Sequence, residues 1–152
     1  MKYRNDFVTN SSSSSFIVSF KNKGDMEEQF KKMSERYPMY ANIVFQDIDK
    51  HRKTYTEVLK YIKEHLGWEA RYHIRFEMPE YADKKFDYAW FKSAEYKRVE
   101  KEYVERELEK FKNSVNHRGI FAEIAYSDHD NSELEHYIMP KMPFTVKVFS
   151  NH

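Results

Sequence analysis

Near one end of the chain, side chains that titrate or bind metals crowd together. They are Ser127-Asp128-His129-Asp130, then Glu133, Glu135 and His136, and finally Ser150-Asn151-His152. Carboxylate and imidazole together suit zinc, manganese or iron, because they supply anionic or neutral donors without sulfur. A metal held this way polarises water or a phosphoryl oxygen. As a metal site the ligands are Asp128, His136 and His152, with Asp130 or Glu135 as the base. As a ligand site, Asp128 and Asp130 act with Asn10, Ser11 and Ser12 from the other end of the chain. The plainer reading is that Asp128 to Ser132 form only a turn and a helix cap. A calcium loop is excluded: Glu133 stands where glycine makes the sharp turn, and position twelve is Met139 rather than a bidentate glutamate.

The second polar feature is Ser11 to Ser15, five serines set between Phe7-Val8 and Phe16-Ile17. Serine runs are usually linkers between two bodies. Only ten residues precede this one, so it reads as part of a folded domain. Small side chains there would let another backbone come close. Modification or cleavage is a second reading, since a phosphoserine adds about −1.5 to −2 charge. Anion binding by hydroxyls and N–H groups is a third, disfavoured because such nests need left-handed residues, a conformation serine rarely adopts. Phe7-Val8-Thr9-Asn10-Ser11-Ser12-Ser13-Ser14-Ser15-Phe16-Ile17 resembles the opening of a loose group of small bacterial and phage proteins beginning F-V-[S/T]-N-S-S-S-S-S-F. Some of these are also similar at the other end, where Ser127-Asp128-His129-Asp130 and Glu135-His136 precede a strand ending in His152. The resemblance carries no activity and no catalytic residue across. It implies that the two ends belong together.

The elements that would position these groups follow from periodicity. Ser15 to Phe20 alternates as a strand, with Phe16, Val18 and Phe20 on one face. Asp25 is expected to cap a helix over Met26 to Tyr37, which Pro38 ends. Ile43 to Phe45 is ambiguous between strand and buried turn. A second helix is expected from Thr54 to Leu66, closed by Gly67 in a left-handed cap. Arg71 to Glu77 alternates and predicts a strand, and Pro79 to Lys85 a loop. The longest helix starts at Asp87 or Ser93 and ends at Val115. Ile120 to Tyr126 and Phe144 to Phe149 predict the last strands, with one helical turn possible over Asn131 to Tyr137. The fold class is α+β: a single domain over 1–152, a mainly antiparallel sheet of about four strands, and about three helices on one face. If the serine strand runs antiparallel to the two that end near Ser127 and Ser150, its start lies beside their ends. Asn10 and Ser11 would then face Asp128 and His152.

Composition narrows the function classes. The 152 residues suit one domain with a self-sufficient core. There is no cysteine, hence no disulfide and no thiolate metal site. A net charge of +1 and a pI near 7.9 give no global basic footprint and disfavour nucleic acid as a partner. The basic clusters, Lys50 to Lys53 and Lys92, Lys97, Arg98 and Lys101, read as solvated faces. Trp90-Phe91 reads as core or helix entry, although Lys92 and Lys97 keep base stacking open. No apolar run approaches ~18 residues and no secretory core follows Met1-Lys2, so no membrane association is expected and the cytoplasm is the default location. With three glycines and no G-x-x-x-x-G-K-[S/T], phosphate-cradling loops are disfavoured. The expected function is a small binding or accessory protein. Its polar site would be built from both ends and would take a partner or a small anionic ligand. The alternative is a metal-dependent hydrolase of phosphoesters, using a divalent transition metal.

Overall fold

The computed structural model describes residues 13–77 and 88–150. In chain order these form β1 (Ser13–Phe20), α1 (Lys23–Arg36), α2 (Pro38–Lys50), β2 (Arg52–Lys53), α3 (Tyr55–Glu77), α4 (Tyr88–Phe91) and α5 (Ala94–Ser114). Then come β3 (Ile120–Ser127), α6 (Asp128–Glu133), a π turn (Leu134–Ile138), a 3-10 turn (Met139–Lys141) and β4 (Thr145–Ser150). The α+β class and the four-stranded antiparallel sheet are as expected, whereas the described residues hold six α-helices rather than three. The chain divides into two compact units, one of residues 1–58 and 114–152, the other of residues 59–113. No helix among the described residues is long and apolar enough to cross a membrane.

In the first unit the sheet order is β2-β3-β1-β4. The two late strands therefore do not pair; β1 lies between them, antiparallel to both. Its register sets Ser13 against Ser127, and Ser14 against both Tyr126 and Ser150. Phe16, Val18 and Phe20 share a face with Ala122, Ile124 and Tyr126. That face packs on Met33 of α1, on Ala41, Val44, Phe45 and Ile48 of α2, and on Leu134, Ile138 and Met139. Phe20, Phe45 and Phe144 close on one another at ring separations of 5.2 to 5.8 Å. The opposite face is covered as well. Ile17 and Phe121 point that way and are buried, and Tyr55 lies 5.5 Å from Phe121.

Local chemistry explains where the helices differ from expectation. Asn22, not Asp25, caps α1: its Oδ1 accepts from the Asp25 N–H at 2.8 Å, and Asp25 Oδ2 accepts from the Lys21 N–H at 2.9 Å. The second bond reaches Lys21, one residue before the N-cap, so it ties down the chain entering the helix without closing a capping box on Asn22 itself. Pro38 ends α1 and also starts α2, because a proline at the first helical position lacks only an N–H that would be unpaired there anyway. Ile43, Val44 and Phe45 thus lie inside a helix. A capping box, Thr54 with Glu57, opens α3, and its hydrogen bonds hold the Glu57 carboxyl below its usual range.

The second unit corrects the expected strand at Arg71 to Glu77, which is the last third of α3. Ile62, Leu66, Ala70 and Ile74 recur every four residues and all are buried, so the helical period wins over the short alternation. Gly67 sits inside the helix instead of ending it. Tyr103 of α5 donates to Glu69 Oε2 at 3.2 Å, and its ring lies 4.7 Å from that of His73. Trp90, Phe91 and Tyr96 form a mutual ring cluster, so Trp90-Phe91 does mark a helix entry.

Candidate metal centre

The ends of β1, β3 and β4 meet at one rim of the sheet, and α6 with the π turn stands over it. Ser127 leaves β3 in an extended conformation, and its Oγ accepts from the Asp130 N–H at 3.3 Å. This N-cap starts α6 and fixes Asp128 on its first turn. Asp130 is drawn into the same cap, accepting from Ser127 Oγ at 3.2 Å. Asn131 then leaves helical geometry with φ −153° and ψ 72°. The chain resumes as a π turn in which the Met139 N–H reaches back five residues to the Leu134 carbonyl. Such wide turns are rare and are frequent at functional sites. Here Leu134 and Ile138 anchor the turn in the core while Glu135 and His136 turn to the rim.

Three donor atoms converge. His136 Nε2 contacts Asp128 Oδ1 and lies 3.2 Å from Glu135 Oε1. One donor atom from each of the three residues falls within 4.8 Å of the other two. Glu135 is 2% exposed, whereas Asp128 and His136 open to solvent. The hydrogen bond to Asp128 raises the His136 pKa above its ordinary value, aided by the charges of both carboxylates and opposed by desolvation. Ser14 reaches the buried glutamate from β1: its Oγ donates to Glu135 Oε2 at 2.9 Å and lies 2.9 Å from Ser150 Oγ. Two tyrosines tie α2 to this end of the sheet. Tyr40 donates to Glu133 Oε2 at 2.9 Å, and Tyr126 to Asp47 Oδ2 at 2.8 Å.

Of the residues singled out from the sequence, the structure therefore brings Asp128 and His136 together and places Asp130 in the cap of α6 rather than in the cluster. Asn10, Ser11, Ser12 and His152 lie outside the described residues. Glu135, considered above as a base, stands among the donors, and Ser14 and Ser150 are its unforeseen supports. A signal for Ser14 existed: stepping back by two from Phe20, Val18 and Phe16 lands on it, so it shares their inward face. The chain matches no family model, no curated protein and no solved structure.

Proposed function

We propose that this is a binding or accessory protein whose site lies at the serine-strand rim and takes a divalent transition-metal ion through Asp128, Glu135 and His136. The observation that carries this reading is the convergence of one imidazole nitrogen and two carboxylates, one of them buried, from a single short segment. Imidazole with carboxylate suits zinc, manganese or iron. Two carboxylates beside one histidine also favour a cation over the small anionic ligand that the serine run suggested. In the metal-free protein His136 Nε2 lies against both carboxylates, which favour its protonated form. A metal ion would replace that proton.

The test is elemental analysis of the purified protein together with calorimetric titration of zinc and manganese. About one equivalent of tightly bound metal is expected, lost in Asp128→Ala and His136→Ala. Wild-type protein that takes up neither metal overturns the reading. The hydrolase remains the second reading, supported by the donor count. Three protein ligands leave a coordination position for water, the arrangement of catalytic rather than structural zinc sites. Manganese-dependent hydrolysis of a simple aryl phosphate, abolished in His136→Ala, would establish it.

A further inference from the structure

We infer that Ser14, itself oriented by Ser150, is the positioning residue that holds Glu135 as a one-oxygen ligand, and that this sets the site's preference for a small transition-metal ion over calcium. The inference rests on the metal reading above and adds the partners that tune it.

The direction of the hydroxyl chain follows from proton counting. An ionised carboxylate only accepts, so the single proton of Ser14 Oγ is committed to Glu135 Oε2 at 2.9 Å. The 2.9 Å contact between Ser14 and Ser150 must then run the other way, with Ser150 donating. The chain is Ser150 to Ser14 to Glu135, and each bond polarises the next. It is held by two strands: the sheet register places Ser150 directly opposite Ser14. Ser14 is 3% exposed, so the glutamate meets its hydroxyl largely out of competing water.

The consequence lies in which oxygen faces the cluster. Oε2 is committed to Ser14, whereas Oε1 is the oxygen 3.2 Å from His136 Nε2. The Ser14 hydrogen bond takes one lone pair of Oε2 and points that oxygen away from the cluster's third donor, which biases Glu135 toward meeting a metal through Oε1 alone. Calcium takes about 6–8 oxygen ligands and gains from bidentate carboxylates. A site with one imidazole nitrogen and a single-oxygen glutamate suits a smaller, four- to six-coordinate ion. A polar run at the start of a core strand thereby acquires a role: its fourth serine continues the inward-facing row just where that row meets a buried charge.

The experiment titrates zinc and calcium separately into wild type, Ser14→Ala, Ser14→Thr and Ser150→Ala, with circular dichroism to confirm folding. Ser14→Ala should weaken zinc binding about 10–100-fold, the usual effect of removing an outer partner of a ligand. It should also lower the zinc-to-calcium affinity ratio, because the released Oε2 allows bidentate binding. Ser14→Thr keeps the hydroxyl and should stay near wild type, and Ser150→Ala should show a smaller loss in the same direction. A purely structural serine would change folding but not the ratio. Wild type that binds zinc while Ser14→Ala matches it in affinity and ratio overturns the inference and spares the metal reading. Should Ser14→Ala fail to fold, Ser150→Ala at the exposed strand end decides: weaker zinc binding supports the chain, unchanged binding overturns it. Wild type that binds no zinc overturns the inference, and the metal reading falls with it only when manganese is not bound either.

Discussion

Ser14 and Glu135 are 121 residues apart in the chain, yet they share a buried hydrogen bond of 2.9 Å. One lies in the strand at the centre of the sheet and the other in the π turn above the sheet's rim. The bond separates what the fold needs from what the site needs. Glu135→Gln keeps an oxygen able to accept from Ser14, so its folding free energy should stay within about 1 kcal/mol of wild type in urea denaturation. The same variant lacks the anionic oxygen a metal requires. Calorimetry should therefore show zinc binding lost from a protein that still unfolds cooperatively.

His136 gives a pH dependence of defined sign. Asp128 and Glu135 favour its protonated form, so its folded pKa lies above the unfolded value of about 6.5. Below that unfolded value its stabilising contribution is complete, and the contribution disappears as pH rises through the folded pKa. In chelator-treated samples, wild type should therefore exceed His136→Gln in stability at about pH 5 and lose that margin by about pH 9. A histidine proton resonance followed by NMR should titrate above the ordinary midpoint in wild type and move back down in Asp128→Asn. A midpoint unchanged by Asp128→Asn would contradict the contact.

The rim was legible in the sequence and part of its surroundings was not, for physical reasons that particular residues show. Phe16, Val18 and Phe20 recur at every second residue, so the strand and its inward row could be read directly. Ser127 and Ser150 close two apolar strands, which placed both polar ends at one edge once all the strands were antiparallel. Arg71 to Glu77 misled because Tyr72, Ile74 and Phe76 alternate over only seven residues. The buried row that decides the matter begins at Val58 and runs through Ile62, Leu66 and Ala70 to Ile74, beyond any window that short. Glu135 could not be recognised as buried because the hydroxyl that meets it, Ser14, comes from β1, and pairing across so much chain is not a local property. The π turn left no signature, since Asn131 breaks the helix without glycine or proline.

Tyr126 stands opposite Ser14 and donates to Asp47 Oδ2 at 2.8 Å. Burial, and then the Asp47 carboxylate, push its phenol well above the ordinary tyrosine range. In an alkaline absorbance titration, Tyr126 should remain protonated through the range in which an ordinary tyrosine ionises. Tyr126→Phe removes a hydrogen bond to a charged acceptor and should cost about 1.5–3 kcal/mol in urea denaturation. A loss under half a kilocalorie would mean that water satisfies Asp47 equally well.

Gly67 separates the helix found here from the helix end its sequence suggested. As a left-handed cap, glycine could be replaced by alanine only with strain. Inside α3 the same change adds a methyl group that meets nothing within 4 Å beyond its chain neighbours and the helix's own backbone, and it removes the backbone entropy that glycine loses on folding. Gly67→Ala should therefore stabilise the protein by about 0.5–1 kcal/mol, with a matching rise in melting temperature. The sign alone decides: a destabilised variant would place the end of the helix at Leu66 and return Arg71 to Glu77 to the strand that their alternation suggested.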